Sequence, residues 1–169
     1  MESTQLVDVL RQALQSERDG YQFYTMAAAH TDIAGAKEIF EHLGEEERKH
    51  FDALQKEYRN LLEGRAWDGA YVWGEPWNPE DATVLFSDQF KSRIQGRHHE
   101  MAALSIGILL EKEAFQFYAE QSRIAEGAEL KAFFDELAAW ERGHHAMLLK
   151  LDEILKDAYW DENRFAPLL

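Results

Sequence analysis

Glu141-Arg142-Gly143-His144 interrupts a leucine seam, and Glu47-Arg48-Lys49-His50 interrupts another in the same way. Around the later motif, Leu130, Phe134, Leu137, Glu141, His144, Leu148, Leu151 and Leu155 alternate at steps of four and three, the spacing of a packed helix face. Around the earlier one, Ala36, Phe40, Leu43, Glu47, His50, Leu54, Tyr58 and Leu61 repeat the alternation. Each stripe therefore carries a carboxylate and an imidazole where burial is expected. An unpaired buried carboxylate costs several kcal/mol, so each needs a compensating partner, and a metal ion is the obvious one.

Working outward, the seams imply four long helices. Residues 4–30 carry Leu6, Leu10, Ala13, Glu17, Tyr21, Tyr24 and Ala28 on one stripe, and a turn at Thr31–Gly35 leads into a helix over 34–62 that stops before Gly64. So short a turn makes the two helices antiparallel neighbours. A third helix is expected over 93–125, with Leu104, Gly107, Glu111, Ala114, Tyr118, Gln121 and Ala125 on its stripe, and a fourth over 128–158. Between the pairs lies a crossover over 64–92, in which periodicity disappears from Gly64 to Asn78 and Trp67, Trp73 and Trp77 cluster. Asn78-Pro79-Glu80-Asp81 has the chemistry of a helix start, which predicts a short helix over 79–87 inside this crossover. Residues 159–169 read as an extended tail.

Laying the second half over the first at an offset of 94 residues pairs Glu17 with Glu111, Tyr24 with Tyr118, Glu47 with Glu141 and His50 with His144. Phe40 and Phe134, Leu43 and Leu137, Arg48 and Arg142, and Leu54 and Leu148 fall into register as well. The chain is thus a duplicated helical hairpin. In each half the lone glutamate lies 30 residues before the Glu-x-x-His motif, which sets them at similar heights on antiparallel helices. Closing two such hairpins about a pseudo-twofold axis gives one all-α, antiparallel four-helix bundle over residues 1–169, with Glu17, Glu47, His50, Glu111, Glu141 and His144 together.

The composition narrows the chemistry. With 169 residues and 46% hydrophobic content, the chain can bury one core and is read as one domain. A formal net charge of -14, from 32 acidic and 18 basic residues, argues against nucleic acid and anionic membrane surfaces as partners. The start Met1-Glu2-Ser3-Thr4 has no basic n-region or long apolar run, so a cytoplasmic location is expected. Zero cysteines exclude thiolate ligation within these residues, leaving oxygen and nitrogen to hold any metal. Four carboxylates and two neutral imidazoles balance two divalent cations, and hard oxygen ligation with one nitrogen per ion favours iron, then manganese, with zinc as a substitute.

The set Glu17, Glu47-x-x-His50, Glu111 and Glu141-x-x-His144 resembles the ligand set of ferritin-like di-iron carboxylate proteins. The resemblance implies that Glu17 and Glu111 are terminal ligands, that Glu47 and Glu141 bridge, and that His50 and His144 cap one ion each. The near-equal halves, the repeated Glu and Tyr spacing and the long crossover look most like the rubrerythrin-like branch. The sequence departs from that branch twice. No cysteine-bearing rubredoxin segment is present, which implies an external electron donor, and Ala114 stands where rubrerythrins carry an additional glutamate. The pattern is also similar to bacterioferritin, but the tail lacks a cage-building fifth helix, and a homodimer is expected.

The resulting expectation is a di-iron, or iron and manganese, oxidoreductase of peroxidase or ferroxidase type that reacts with O2 or peroxide. One alternative is an iron-handling protein that oxidises ferrous ions for storage or delivery; another is a bundle whose metal is purely structural and which acts as an interaction module. Tyr24 and Tyr118, two turns beyond the lone glutamates, are candidates to hydrogen-bond the ligand carboxylates or to donate electrons, with plain packing as the alternative. Gly20 and Ala114, one turn beyond, leave either a pocket for O2 or peroxide or a close helix approach. His98 and His99 lie about 20 Å from the site along their helix and are outside the ligand set.

Overall fold

The computed structural model describes residues 3–67, 71 and 98–163. They form four helices: α1 (Ser3–His30), α2 (Ala34–Leu62), α3 (His98–Ile124) and α4 (Ala128–Asn163). α1 packs along α2 and α3 along α4, each pair a hairpin, and the hairpins meet most closely between α1 and α3. The architecture is the all-α four-helix bundle of two hairpins that the seams predict. No helix among the described residues is long and apolar enough to cross a membrane.

Local chemistry sets the ends. Residues 31–33 are the whole break between α1 and α2; the Thr31 hydroxyl accepts from the Ile33 N–H at 3.2 Å and donates to Glu100 at 2.9 Å, which ties the turn to the first turn of α3. α2 stops where Gly64 takes a φ of 65°, and α4 begins after Gly127 at 98°, left-handed conformations that glycine adopts without a Cβ clash. α4 runs to Asn163, so the extended tail expected from residue 159 is helical for its first five residues. The stretch Tyr159-Trp160-Asp161-Glu162-Asn163 contains neither glycine nor proline to stop the helix. The expected helix over 79–87, the start of α3 at 93–97 and the last six residues lie outside the described residues.

Two apolar clusters fill the bundle on either side of the ionisable layer. One holds Tyr24, Ile39, Phe40, Leu43, Leu104, Met147 and Leu148; the other holds Leu10, Ala13, Leu54, Tyr118, Phe133, Phe134 and Leu137. The duplication is visible in their geometry. Tyr24 stacks on Phe40 at 6.2 Å and 20°, and Tyr118 stacks on Phe134 at 6.2 Å and 19°. Phe23 meets Tyr24, and Phe117 meets Tyr118, edge-on at 5.2 Å in both halves. Among the described seam positions Tyr21 departs, at 38% exposed. Its neighbour Gly20 turns inward instead.

The start of the crossover is anchored to the second cluster. Trp67 packs edge-on against Phe133 at 5.0 Å, and the Tyr71 hydroxyl donates to the fully buried Glu57 at 2.6 Å. Packing inside the protein thus accounts for these two aromatic residues of the crossover.

Candidate metal centre

Between the two clusters, Glu17, Glu47, His50, Glu111, Glu141 and His144 all point inward, and none is more than 5% exposed. The 30-residue spacing in each hairpin puts the lone glutamate level with its Glu-x-x-His motif, and the three-residue spacing puts Glu and His on one helix face. Their ligand atoms fall into two groups, each within 4.8 Å of one another: Glu17, Glu47, His50 and Glu141, and Glu47, Glu111, Glu141 and His144. Glu47 and Glu141 belong to both. The structure brings all six of these residues together, and Glu47 and Glu141 are the two carboxylates common to both groups.

Both imidazoles present Nδ1 to the carboxylates. His50 Nδ1 lies 3.2 Å from Glu17 and 2.9 Å from Glu141. His144 Nδ1 lies 3.3 Å from Glu141, 3.5 Å from Glu111 and 3.8 Å from Glu47. The rings stack on each other at 5.7 Å and 26°. Oxygen donors with one nitrogen per group suit hard or borderline divalent cations, so the residues present fit two such ions.

Without a cation, groups packed this tightly lower their energy by sharing protons. Burial pushes the Glu47 carboxyl well above its usual range, and Glu141, Glu17 and Glu111 push it further. Burial likewise raises Glu111, to about 7, against the pull of His144. For His50 burial disfavours the charged ring, but Glu141 and Glu17 outweigh it and raise the imidazole to about 9. His144 is also raised, because Glu111 and Glu141 outweigh its burial. Glu141 goes the other way: burial opposes its charge, yet His50 and His144 hold it well below the usual carboxylate range. The two shared carboxylates are thus electrostatically unlike.

Tyr24 and Tyr118 support the ligands across the hairpins. The Tyr24 hydroxyl on α1 donates to Glu111 on α3, and the Tyr118 hydroxyl on α3 donates to Glu17 on α1. Burial first, and then the facing carboxylate, raises both phenols well above their usual range, so they keep their protons and act as donors. Gly107 serves this arrangement, since a Cβ there would lie 3.1 Å from the Tyr24 hydroxyl.

Other expectations resolve individually. The space at Gly20 holds the end of the Glu47 side chain, 3.1 Å from where a Cβ would sit, and is not an empty pocket. Arg48 faces outward and pairs with Glu45 and Asp52, whereas its repeat mate Arg142 lies over the Phe115 ring at 5.6 Å. Trp140 is a residue that sequence reasoning passed over. It is buried and packs edge-on against both His50, at 5.9 Å, and His144, at 6.1 Å. A signal was present: Trp140 pairs with Glu46 at the 94-residue offset, an apolar-for-acidic difference immediately before a Glu-x-x-His motif.

A family model described as rubrerythrin matches residues 8–82 and 102–166, and the chain belongs to the rubrerythrin family. The match spans both hairpins and all six convergent residues. No curated protein and no solved structure gives a significant match.

Proposed function

We propose that this chain is a di-iron carboxylate oxidoreductase that reacts with O2 or peroxide and takes electrons from a separate donor. The observation that carries the reading is the pair of four-residue groups that share Glu47 and Glu141 inside one buried layer. Family membership supports it. In this reading Glu17 and His50 serve one ion, Glu111 and His144 the other, and Glu47 and Glu141 both. Two adjacent redox-active ions would supply a pair of electrons to a dioxygen or peroxide bond.

The remaining roles belong to the protein. Tyr118 and Tyr24 hold the carboxylates of Glu17 and Glu111 by hydrogen bonds from the opposite hairpin, and so fix the orientation of the ligands. The two apolar clusters exclude bulk water from the layer, which strengthens each charge interaction within it. Four carboxylates against two neutral imidazoles match two divalent cations in charge. Iron fits the oxygen-rich donors and the two-electron role; manganese is the second fit.

The test combines metal analysis of protein from its native host with kinetics. The expected result is two metals per chain, an optical change on adding peroxide, and peroxide consumption that depends on an added electron donor. Repeated oxidation of ferrous iron well beyond two per chain, without donor-dependent peroxide consumption, would overturn the proposal in favour of iron handling. A redox-silent metal would overturn it in favour of a structural centre.

A further inference from the structure

Three rings meet beside the carboxylates. His50 and His144 stack at 5.7 Å and 26°, and the buried Trp140 indole stands edge-on to both, 5.9 Å from His50 at 73° and 6.1 Å from His144 at 68°. The three centroids form a nearly equilateral triangle, so each ring packs against the other two. Trp140 reaches His144 because they lie four residues apart on α4, and it reaches His50 across the bundle on α2.

Contacts at Nδ1 alone do not stop an imidazole tilting about that atom. The usual restraint is a hydrogen bond from the other ring nitrogen to a carboxylate or carbonyl. In His144 that nitrogen, Nε2, is buried and makes no hydrogen bond to a described residue, so the tilt is set by the rings packed against it. The repeat supplies the indole only once. At the 94-residue offset Trp140 is matched by Glu46, whose carboxylate pairs with Lys49 at 2.6 Å. Two equivalent halves would carry one brace for each histidine; this chain carries one brace for both.

From this packing we infer that Trp140 is a positioning residue shared by His50 and His144: by fixing both ring planes, it ties the two ion positions to one side chain. Edge-on aromatic contact has a preferred geometry that an aliphatic side chain does not reproduce. The tyrosines act differently, since Tyr118 reaches Glu17 in one four-residue group and Tyr24 reaches Glu111 in the other. The inference rests on the di-metal reading of the site but not on its reaction with O2 or peroxide.

The test loads the full chain with cobalt(II) as wild type, Trp140→Leu, Trp140→Phe and Tyr118→Phe. It measures cobalt affinity by competition with a chelator and records the hyperfine-shifted proton resonances of the two imidazoles. Trp140→Leu is expected to weaken both ions by about 10–100-fold and to move both imidazole resonances. Trp140→Phe keeps an aromatic edge and is expected to show a smaller loss that again falls on both ions. Tyr118→Phe is expected to weaken chiefly the ion held with Glu17 and His50. Should Trp140→Leu fail to fold, Trp140→Phe decides alone. Wild-type affinity and resonances in the folded Trp140 variants, or a loss confined to one ion, would overturn the inference and leave the metal centre standing. An equal loss at both ions in Tyr118→Phe would also overturn it, because any change behind the ligands would then reach both. A wild-type chain that takes up no cobalt would overturn the inference and the di-metal reading together.

Discussion

The first hairpin, α1 with α2, and the second, α3 with α4, place their matched aromatic residues almost identically, yet they treat their shared carboxylates differently. Tyr24 on Phe40 and Tyr118 on Phe134 agree in distance and nearly in angle, and each tyrosine reaches the lone glutamate of the other half. At the next layer the likeness ends. Glu47 leans on Gly20 and is driven toward its protonated form, while Glu141 sits between two imidazoles and is held ionised. Trp140 braces both histidines from α4, but its counterpart Glu46 on α2 pairs with the half-exposed Lys49 at 2.6 Å. Duplication supplies the ligand set, and divergence of the residues behind it gives each ligand its own behaviour.

The comparison can be broken most decisively at the shared carboxylates. In metal-free protein, Glu141→Gln removes the anion between two buried imidazoles and is expected to cost about 3–5 kcal/mol, the usual loss when one partner of a buried ion pair is removed. Glu47→Gln substitutes an amide of the same shape for a carboxyl already driven toward protonation, and is expected to be near neutral. Denaturant unfolding of both variants checks this, and equal losses would show that the halves are equivalent after all.

Acidity sharpens the same contrast. His50, raised from 6.5 to about 9, keeps in the folded metal-free chain a proton that the unfolded chain has lost across that interval. Stability must therefore fall as pH rises between those values, by roughly 3 kcal/mol for a shift of this size. Glu111, raised from 4.5 to about 7, contributes with the same sign at lower pH. Glu141, whose folded value is depressed, gives stability that is already complete at neutral pH and does not change in this window. Saturating divalent metal displaces these protons and should reverse the slope. Unfolding midpoints measured at several pH values, with and without manganese(II), provide the check.

The smallest effect probes what the halves have in common. Tyr24→Phe and Tyr118→Phe each remove one hydrogen bond to a buried carboxylate and should each cost roughly 2 kcal/mol. Thermal and chemical unfolding of the two variants should agree closely. A several-fold difference between them would mean that the aromatic layer shares the asymmetry of the carboxylates.

Much of the fold was legible because helical periodicity is a local property. The alternation of fours and threes located four helices, and Gly64 and Gly127 located two of their boundaries. The end of α4 was less legible, since residues 159–163 have no strong apolar stripe and continue as helix simply for want of a breaker. Tyr21 was placed inward from its spacing alone, but the stripe has room for only one residue at that level. The chain turns Gly20 toward Glu47 and leaves Tyr21 outside. Trp140 carried a signal only in its mismatch with Glu46 at the 94-residue offset, and an aromatic one position before a candidate ligand looks like ordinary packing until the facing helix is known.

The sequence by itself determined the bundle, the duplication and the six candidate ligands, because a buried carboxylate or imidazole inside an apolar repeat has few physical explanations and a matching repeat removes most of them. The tertiary structure decided which tyrosine reaches which glutamate, what fills the space at Gly20, and which shared carboxylate lies between the two imidazoles. Those outcomes depend on distances between helices far apart in the chain. A hydrogen bond, a steric contact and a charge interaction all change within an ångström or two, a scale that spacing along one helix does not specify.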